Sequence, residues 1–320
     1  MTWTVLEGDA RIELPTLAAE SVQCVVTSPP YWGLRDYGVE GQLGLEPTPE
    51  EYVANLVAIF REVRRVLRKD GTAWLNLGDS YNTTPAGNRI PSGISQLTAK
   101  RVGRLDEYNT QPKTFPGLKP KDLVGIPWRV AFALQADGWW LRSDIIWAKP
   151  NPMPESVADR PTKAHEHVFL LSKSARYFYD ADAVKSPVTN GGKVRHGPIY
   201  AASAAVFGIE KKTGNMADDA VWTTPTSANL RSVWNIATEP FPDAHFATFP
   251  KKLVEPCIKA GSRPGDLILD PFCGAGTSGV VALRLGRSFV GIELNPEYVE
   301  MARRRIENDA PLFNRIEATP

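Results

Sequence analysis

The chain has 320 residues, 42% of them hydrophobic, and a formal net charge of +1. Its length allows either two domains or one α/β domain with insertions, and the near-neutral charge excludes a uniformly basic nucleic-acid-binding surface. The three cysteines have no metal-ligand spacing and no disulfide framework, and no apolar run approaches the roughly 20 residues of a membrane span. Without a secretory pattern at the amino terminus, we expect a protein of a reducing cytoplasm.

Strands and helices alternate along most of the sequence. Short apolar runs predict strands at 4–6, 22–27, 72–77, 139–147, 167–171, 266–270 and 288–293. A capping box that begins at Thr48 predicts a long amphipathic helix to about Arg68, and further helices are expected after Asp122, Gly276 and Asn295. This alternation predicts an α/β fold with a largely parallel central sheet and helices on both faces.

Two stretches interrupt the alternation. Residues 82–120 are rich in Thr, Pro, Gly, Asn and Gln, and their basic residues outnumber their acidic ones. Residues 183–240 are also irregular and mix basic residues, among them Lys193 and Arg195, with aromatic ones. Long segments of this kind are commonly functional loops, and such side chains suit phosphate contact and base stacking, although a charged loop can also be merely solvated.

The sequence Thr-Ser-Pro-Pro-Tyr-Trp at 27–32 ends a predicted buried strand. Because two prolines cannot continue a sheet, the backbone must turn away at this point. Ligand sites of open α/β sheets lie at such carboxyl ends of strands. Ser28 and a proline carbonyl can accept hydrogen bonds from an amino group, and Tyr31 or Trp32 can stack on a flat ring. Alone, the motif is also compatible with an ordinary turn.

A glycine-rich turn, Asp-Pro-Phe-Cys-Gly-Ala-Gly-Thr at 270–277, follows the strand at 266–270. Glu293 ends the next strand about twenty residues later, the offset at which nucleotide-binding folds place an acid on a ribose. The glycines have the G-x-G-x-x-G spacing of a dinucleotide site, and a plain strand-to-helix turn would look similar. However, Asp270 would face a pyrophosphate unfavourably, and it suits a cationic ligand with an amino-acid tail, such as S-adenosylmethionine.

Together the two motifs resemble those of the DNA amino-methyltransferases, which methylate exocyclic nitrogens of cytosine or adenine with S-adenosylmethionine. The catalytic motif precedes the cofactor loop, an order that resembles the permuted class called β. The resemblance includes the segments 76–81, 145–151, 164–173 and 245–250 and therefore covers most of the chain. It implies a circularly permuted, Rossmann-like methyltransferase fold with irregular insertions.

The resemblance also implies a division of the chain. Residues 1–81 and 121–182 would form the catalytic half, and residues 241–320 the cofactor-binding half. Residues 183–240 would recognise the target sequence, and the basic insertion at 82–120 would close over DNA. The permutation further requires the chain start to lie near the helix that follows Asn295.

Roles for individual residues follow from the same resemblance. The catalytic group is Ser28, Pro29, Pro30 and Tyr31. The cofactor-binding group is Asp9, Thr27, Phe249, Asp270, Phe272, Cys273, Gly274, Gly276, Thr277, Glu293 and Leu294. Asp9 would bond the adenine amino group, although it could instead cap a turn with Gly8. The expected DNA contacts are Trp32, Arg35, Lys149, Lys193 and Arg195.

No metal site is expected, although His165 and His167 flank Glu166. Strand alternation places the two histidines on one face and Glu166 on the other. In the resembled family, Ser before Pro-Pro-Tyr is usual for cytosine N4 and Asp for adenine N6. Ser28 therefore favours N4-methylcytosine, with N6-methyladenine as the alternative. Carbon-5 methylation would need a Cys nucleophile after Pro, and Cys257, the only candidate, lies in a helical pattern and is predicted to be core.

Two other functions stay open at this point. A nucleic-acid-binding module that has lost catalysis should carry a broken motif, and neither motif is broken. Methylation of a protein side-chain amide is associated with a related motif that begins with Asn. The implied partners are double-stranded DNA and a cognate restriction endonuclease, with the protein a monomer or homodimer in the cytoplasm of a bacterial or phage-infected cell.

Overall fold

The computed structural model describes residues 1–34, 36–82, 117–189, 191–200, 216–239, 249–309 and 315–316, with the backbone alone over 194–200, 216–222 and 315–316. Contacts divide the chain into two compact units. The larger unit comprises Met1–Tyr179 and Ser232–Pro320, and the smaller comprises Asp180–Arg231. In the described residues, no helix is long and apolar enough to cross a membrane.

The secondary structure follows the predicted alternation. The strands are β1 (Thr2–Glu7), β2 (Val22–Thr27), β3 (Leu67–Leu77), β4 (Trp140–Ala148), β5 (His165–Ser172), β6 (Ser186–Pro187), β7 (Val194–Tyr200), β8 (Met216–Thr223), β9 (Ser227–Ala228), β10 (Val233–Asn235), β11 (Leu267–Asp270), β12 (Ser288–Glu293) and β13 (Arg315–Ile316). The α-helices are α1 (Ala10–Glu13), α2 (Pro49–Val66), α3 (Ile126–Ala136), α4 (Lys251–Gly261), α5 (Thr277–Arg284) and α6 (Pro296–Asp309). All seven strands predicted from the sequence are present.

Nine strands form one sheet in the larger unit, in the order β10-β4-β5-β3-β2-β11-β12-β1-β13. Only β5 runs antiparallel to its neighbours among the described strands of this sheet. The predicted largely parallel α/β sheet is therefore confirmed. β2 lies beside β11, where Cys24 pairs with Ile268 and Val25 with Leu269. The connections from these two strands leave in opposite directions across the sheet, and this switch point is where open α/β sheets bind ligands.

The permutation predicted from the motif order is also confirmed. β1 pairs with β12 from Trp3 to Glu7, and Thr2 pairs with Arg315. Arg303 in α6 donates a hydrogen bond to the Val5 carbonyl at 2.9 Å. The beginning of the chain therefore lies against the elements that follow Asn295.

Helices cover both faces of the sheet. Val25 packs in the core formed with α2 and α3, which includes Phe60 and Leu134. Cys24, its neighbour on β2, contacts Cys257 in α4 on the other side. Successive side chains on a strand point to opposite faces, so the two contacts define two cores. Cys257 is buried in the second core, as predicted.

The boundaries of α2 show both a correct and an incorrect prediction. Thr48 caps the helix through its hydroxyl, which accepts the Glu51 N–H at 3.2 Å. The helix ends at Val66 rather than at the predicted Arg68. Asp70 and Gly71 then lie within β3 instead of ending the helix. After a register shift, Thr72 of β3 pairs with Cys24, so the strand signal was correct and the turn signal was not.

α3 begins four residues later than the predicted Asp122. The Asp79 carboxylate accepts the N–H groups of Gly125 and Ile126, both at 3.0 Å. These donors belong to the unsatisfied first turn of the helix, so a carboxylate from β3's end sets where the helix starts. A cap that comes from a distant part of the chain leaves no local sequence signal.

The smaller unit contains two antiparallel ladders, β7 with β8 and β6 with β9. Irregular structure was expected there, so these pairings were not predicted. The role of residues 183–240 in target recognition stays a prediction. Residues 83–116 of the predicted basic insertion lie outside the described residues. At its base, the Asn82 amide donates to the carbonyls of Leu118 and Lys119 at 2.9 and 3.1 Å.

Candidate active site

A cleft of about 900 Å³ opens at the carboxyl ends of β1, β2, β11 and β12. It lies at the switch point of the sheet, where the loops after β2 and β11 face one another. Twelve residues with predicted catalytic or cofactor-binding roles line it: Asp9, Ser28, Pro29, Pro30, Tyr31, Phe249, Phe272, Cys273, Gly274, Thr277, Glu293 and Leu294. The structure thus brings the two sequence motifs into one cavity.

The loop after β2 builds one end of the cleft. Ser28 Oγ donates a hydrogen bond to Tyr31 Oη at 3.2 Å, and Tyr31 Oη donates to Glu166 Oε2 at 2.7 Å. The Pro30 carbonyl accepts a hydrogen bond from Tyr52 Oη at 2.9 Å, which fixes the turn. These bonds hold the motif residues in one arrangement at the strand end.

Glu166 is the centre of a charged network at this end. Its Oε1 forms an ion pair with Lys149, and its Oε2 accepts the Asn76 amide N–H at 2.8 Å. Burial raises the pKa of Glu166, but Lys149, Asn76 and Tyr31 lower that pKa by more, so the group is ionised. Burial and the charge of Glu166 raise the pKa of Tyr31 well above its usual value, so the phenol is neutral.

The histidines beside Glu166 lie on the other face of β5, as predicted. The rings of His165 and His167 are 5.4 Å apart, and His167 Nδ1 lies 2.9 Å from an Asp144 carboxylate oxygen. Within the described part of the chain, no group of three His, Cys, Asp or Glu side chains could hold a metal ion.

The glycine-rich loop after β11 builds the opposite end of the cleft. Gly274 has a φ of +51°, a backbone region that L side chains rarely adopt. Its N–H donates to Glu293 Oε2 at 2.8 Å, and the Asn295 N–H donates to Glu293 Oε1 at 2.9 Å. Burial raises the pKa of Glu293, and these backbone donors oppose the rise. Glu293 therefore joins the loops that follow β11 and β12.

Asp270 and Thr27 do not reach the cleft, contrary to the predicted cofactor contacts. Asp270 is fully buried, and its carboxylate accepts the Thr27 hydroxyl at 2.6 Å, the Ser278 hydroxyl at 2.7 Å and the Phe272 N–H at 3.1 Å. Burial raises the pKa of Asp270 to about 6 despite these donors. The carboxylate lies on the side of the loop away from the cleft, where its hydrogen bonds hold the loop and connect it to β2.

Gly276 lies on the side of the loop that faces α6. A β-carbon at this position would lie 3.0 Å from Ala302 Cβ in α6. Its φ of +74° additionally favours glycine. The close approach that requires Gly276 is therefore to a helix, and its predicted contact with the cofactor stays a prediction.

Asp9 lines the cleft and also caps α1. Its Oδ1 accepts the Arg11 N–H at 2.8 Å, its carboxylate forms an ion pair with the Arg11 guanidinium, and that guanidinium also donates to the Gly41 carbonyl at 2.8 Å. Burial raises the pKa of Asp9, and Arg11 lowers that pKa by more, so the carboxylate is ionised. Asp9 thus caps a helix rather than a turn with Gly8, and the adenine contact stays a prediction.

The predicted DNA contact through Trp32 is wrong. Trp32 is 2% exposed and belongs to the core, where its Nε1 donates to the Glu46 carbonyl at 3.1 Å. Tyr31 and Trp32 point in different directions from the turn, so only Tyr31 faces the cleft.

Lys149 lies in the cleft, and its DNA contact stays a prediction. Its ammonium group pairs with Glu166 and lies 4.3 Å from the centre of the Trp147 ring. Lys193 is exposed in the smaller unit. Arg35 and the side chain of Arg195 lie outside the described residues, so their DNA contacts stay predictions.

Several cleft residues had no predicted role. Asn76, Glu166, Trp147, Tyr37 and Tyr298 all line the cavity. Alternation along β5 could have pointed to Glu166, because a residue opposite two surface histidines faces the other side of the sheet. The remaining side chains come from separate loops and strands that meet only in the folded chain.

A switch-point cleft between a Ser-Pro-Pro-Tyr loop and a glycine-rich loop defines a methyltransferase of the class that modifies amino groups of nucleobases. The family model described as DNA methylase, of the N6/N4 type, matches residues 22–304. The chain is 48% identical over 315 residues to the Type II methyltransferase M.Cfr9I of Citrobacter freundii, covering 98% of this chain and 91% of that protein. It therefore belongs to the S-adenosylmethionine-dependent DNA amino-methyltransferases, as the motifs predicted.

Solved structures share the fold. PvuII DNA methyltransferase (cytosine-N4-specific) matches with a TM-score of 0.62 at 20% identity, covering 98% of this chain and 92% of that chain. The TTHA0409 protein of Thermus thermophilus, complexed with S-adenosyl-L-methionine, matches with a TM-score of 0.58 at 22% identity, covering 99% of this chain and 100% of that chain.

Proposed function

We propose that the protein transfers a methyl group from S-adenosylmethionine to the exocyclic N4 of a cytosine flipped out of double-stranded DNA. The observation that carries this proposal is the position of Ser28 in the same cleft as the glycine-rich loop at 274. A hydroxyl at the acceptor end suits a nucleobase amino group. The Type II names of the relatives favour a protective role beside a cognate restriction endonuclease.

The charge of the cleft supports a cationic cofactor. Among the described residues that line the cleft, Lys149 is the only Lys or Arg, and it is paired with Glu166. At the cofactor end, Glu293 is a carboxylate with no ion pair among the described contacts, whereas Asp9 is paired with Arg11. A dinucleotide would leave its pyrophosphate without a basic partner there, whereas a sulfonium with an ammonium tail is attracted.

We infer that the residues of the cofactor end hold S-adenosylmethionine between them. Gly274 lets the backbone approach the ligand, Glu293 accepts from the ribose hydroxyls, and Asp9 accepts from the adenine amino group. Apolar contact comes from Phe249, Phe272 and Leu294, which line the cleft. When bound, the cofactor supplies an electrophilic methyl group on its sulfonium.

The acceptor end positions and activates the amino group. The lone pair of an exocyclic amine is delocalised into its ring, and acceptors on both of its hydrogens free that lone pair for attack. The Ser28 hydroxyl and the Pro29 carbonyl supply these acceptors, and Tyr31 stacks on the base, worth about 1–3 kcal/mol. The base must leave the duplex to reach this site, and alignment with the methyl group then provides much of the rate.

Residues 183–240, which include most of the smaller unit, are the proposed target-recognition region. Lys193 and Arg195 would contact phosphates, and the insertion at 82–120 would close over DNA. The affinity for DNA is then expected to fall steeply with salt, because each neutralised phosphate releases a counterion. A variant with both basic residues changed to alanine should show a shallower salt dependence.

The deciding experiment identifies the methylated base. Purified protein is incubated with unmethylated bacterial chromosomal DNA and S-adenosylmethionine, and the DNA is digested to nucleosides for mass spectrometry. N4-methylcytosine alone is the expected product. N6-methyladenine alone would establish the adenine alternative, and methylated protein without methylated DNA would overturn a DNA substrate.

A matched pair of variants tests the role of Ser28. Ser28→Ala is expected to lower methyl transfer at least about tenfold without changing the affinity for S-adenosylmethionine. Ser21→Ala, which removes an exposed hydroxyl bonded only to the Ala18 carbonyl among the described contacts, should retain full activity. An unchanged rate in Ser28→Ala would contradict the assignment.

A further inference from the structure

A directional chain of hydrogen bonds leads away from the acceptor end of the cleft. Ser28 Oγ donates to Tyr31 Oη at 3.2 Å, and Tyr31 Oη donates to Glu166 Oε2 at 2.7 Å. A hydroxyl donates one hydrogen bond and accepts two. The Asn76 amide takes one acceptor position on Ser28 at 3.4 Å, so the other stays open to a ligand in the cleft.

Glu166 ends this chain as a carboxylate held in its charged form. Lys149 from the end of β4 pairs with its other oxygen, and Asn76 from β3 donates at 2.8 Å. Lys163, which precedes β5, adds a second positive charge nearby and donates to the Asp79 carbonyl at 2.8 Å. His165 lies on the opposite face of β5, and Tyr31 is a further titratable neighbour.

When the amino nitrogen accepts the methyl group, it must lose one of its own protons. A new N–C bond forms while the S–C bond of the sulfonium breaks, so the positive charge moves from sulfur to the nucleobase nitrogen. A serine hydroxyl cannot keep an extra proton, because its conjugate acid is far too strong. The nitrogen therefore needs a route to a base, and Ser28 Oγ begins the one route through hydroxyl groups that the described residues offer from this point. The Asn76 amide also joins Ser28 to Glu166, but it cannot take up a proton and pass it on.

We propose that Glu166 is the terminal proton acceptor of a relay formed by Ser28, Tyr31 and Glu166. This inference rests on the proposed function. The nitrogen passes its proton to Ser28 Oγ as the Ser28 hydroxyl proton moves to Tyr31 Oη and the Tyr31 proton moves to Glu166 Oε2. Glu166 becomes a neutral carboxylic acid and releases its proton to water when the methylated base leaves the cleft.

The relay explains why Tyr31 has a hydroxyl as well as a ring. Stacking on the base requires only the ring, which phenylalanine would also provide. The hydroxyl lies between Ser28 and Glu166 and is hydrogen-bonded to both. In the relay, Glu166 takes up a proton through Tyr31 and Ser28. A carboxylate that only orients the phenol would not need to take up a proton, and this difference can be tested.

Two substitutions interrupt the relay without emptying the site. In Glu166→Gln, an amide oxygen can still accept from Tyr31 but cannot take up a proton. In Tyr31→Phe, the ring and the pairing of Glu166 with Lys149 remain, which protects the test against misfolding caused by an unpaired lysine. Each variant is expected to lower the single-turnover rate at least about tenfold, the lower end of general acid–base effects, with the Kd for S-adenosylmethionine within about twofold.

Two further readouts separate a relay from a structural role. The double variant is expected to be no slower than either single variant, because one route can be broken only once. Methyl transfer by the unmodified protein should slow in D₂O, and Tyr31→Phe should reduce that isotope effect. The substrate is an oligonucleotide duplex that carries the site found by sequencing modified bases in DNA treated with the unmodified protein.

Rates within twofold of the unmodified protein, additive losses in the double variant, or an unchanged isotope effect would each overturn the relay. None of these outcomes affects the proposed function, because each is measured against an unmodified protein that methylates DNA. If that protein transfers no methyl group to DNA, the proposed function fails instead.

Discussion

The ring of Tyr31 packs so closely on Gly78 that a β-carbon at position 78 would lie 2.6 Å from Tyr31 Cε2 and 2.8 Å from Cδ2. Tyr31 follows β2 and Gly78 follows β3, so the contact fixes the phenol between two neighbouring strand ends. The hydroxyl of the same residue is bonded to Ser28 and Glu166, so both ends of the side chain are held in place.

Gly78→Ala should therefore disturb the acceptor end without touching the cofactor end. The added methyl group must displace the Tyr31 ring, and we expect methyl transfer to DNA to fall at least about tenfold, as misplacement of a positioning group commonly does. The affinity for S-adenosylmethionine, measured by calorimetry, should stay within twofold. A normal rate in a folded variant would show that the position of Tyr31 is not critical.

A pair of glycines separates backbone strain from steric contact. Gly276 and Gly265 have φ values of +74° and +87°, so alanine is strained at both. Only at Gly276 does a β-carbon meet a neighbour, Ala302 Cβ at 3.0 Å, whereas nothing lies within 4 Å at Gly265. Both variants should lose about 1–2 kcal/mol of unfolding free energy, and Gly276→Ala should lose about 1 kcal/mol more. Urea unfolding measures the unfolding free energy of each variant. Equal losses in the two variants would show that the contact with Ala302 costs nothing.

Glu293 is expected to hold the cofactor ribose and to make its binding pH-dependent. Glu293→Gln should weaken S-adenosylmethionine binding about tenfold, because a charge-assisted hydrogen bond becomes a neutral one. Glu297→Gln, an exposed change in α6, is the matched control. Since burial raises the pKa of Glu293, affinity should fall as the pH drops through that raised pKa, and Glu293→Gln should lose this dependence. Parallel pH profiles for the two proteins would contradict the assignment.

Asp270 should impose a pH-dependent cost on folding. Its pKa of about 6 in the folded protein lies above its usual value of 3.8, so the folded state binds more protons between these limits. The contribution of Asp270 to stability therefore falls as the pH rises from about 4 to about 6, by roughly 3 kcal/mol at most. Asp270→Asn keeps an acceptor and should lack this component. Comparing the unfolding free energies of the two proteins at pH 4, 5, 6 and 7 measures this contribution. A difference between them that does not change with pH would contradict the raised pKa of Asp270.

Much of the sheet could be predicted because its strands carry local signals. Apolar runs located all seven predicted strands, and the Thr48 capping box located α2. The start of α3 was misplaced because its cap, Asp79, comes from the end of another strand. The pairing of β7 with β8 was missed because turn and strand residues are mixed throughout that region.

The sequence motifs located the candidate site, but they did not show which of their side chains face the cleft. Residue type alone does not distinguish Asp270, which supports its loop from behind, from Glu293, which lines the cleft. Trp32 illustrates the same limit, since both aromatics of the motif suit base stacking and only Tyr31 faces the cavity. Glu166 emerged as central only when β3, β4 and the loop after β2 were seen to converge on it.

The hydrogen bond between Thr27 and Asp270 joins strands that a ribosome makes far apart in time. While a nascent chain extends from β2 to β10, the edge of β2 that β11 will cover has no partner strand. Such an edge is a template for aggregation, so this stretch of synthesis is when the protein is most vulnerable. Cells that slow translation before β11 should accumulate insoluble, inactive chains.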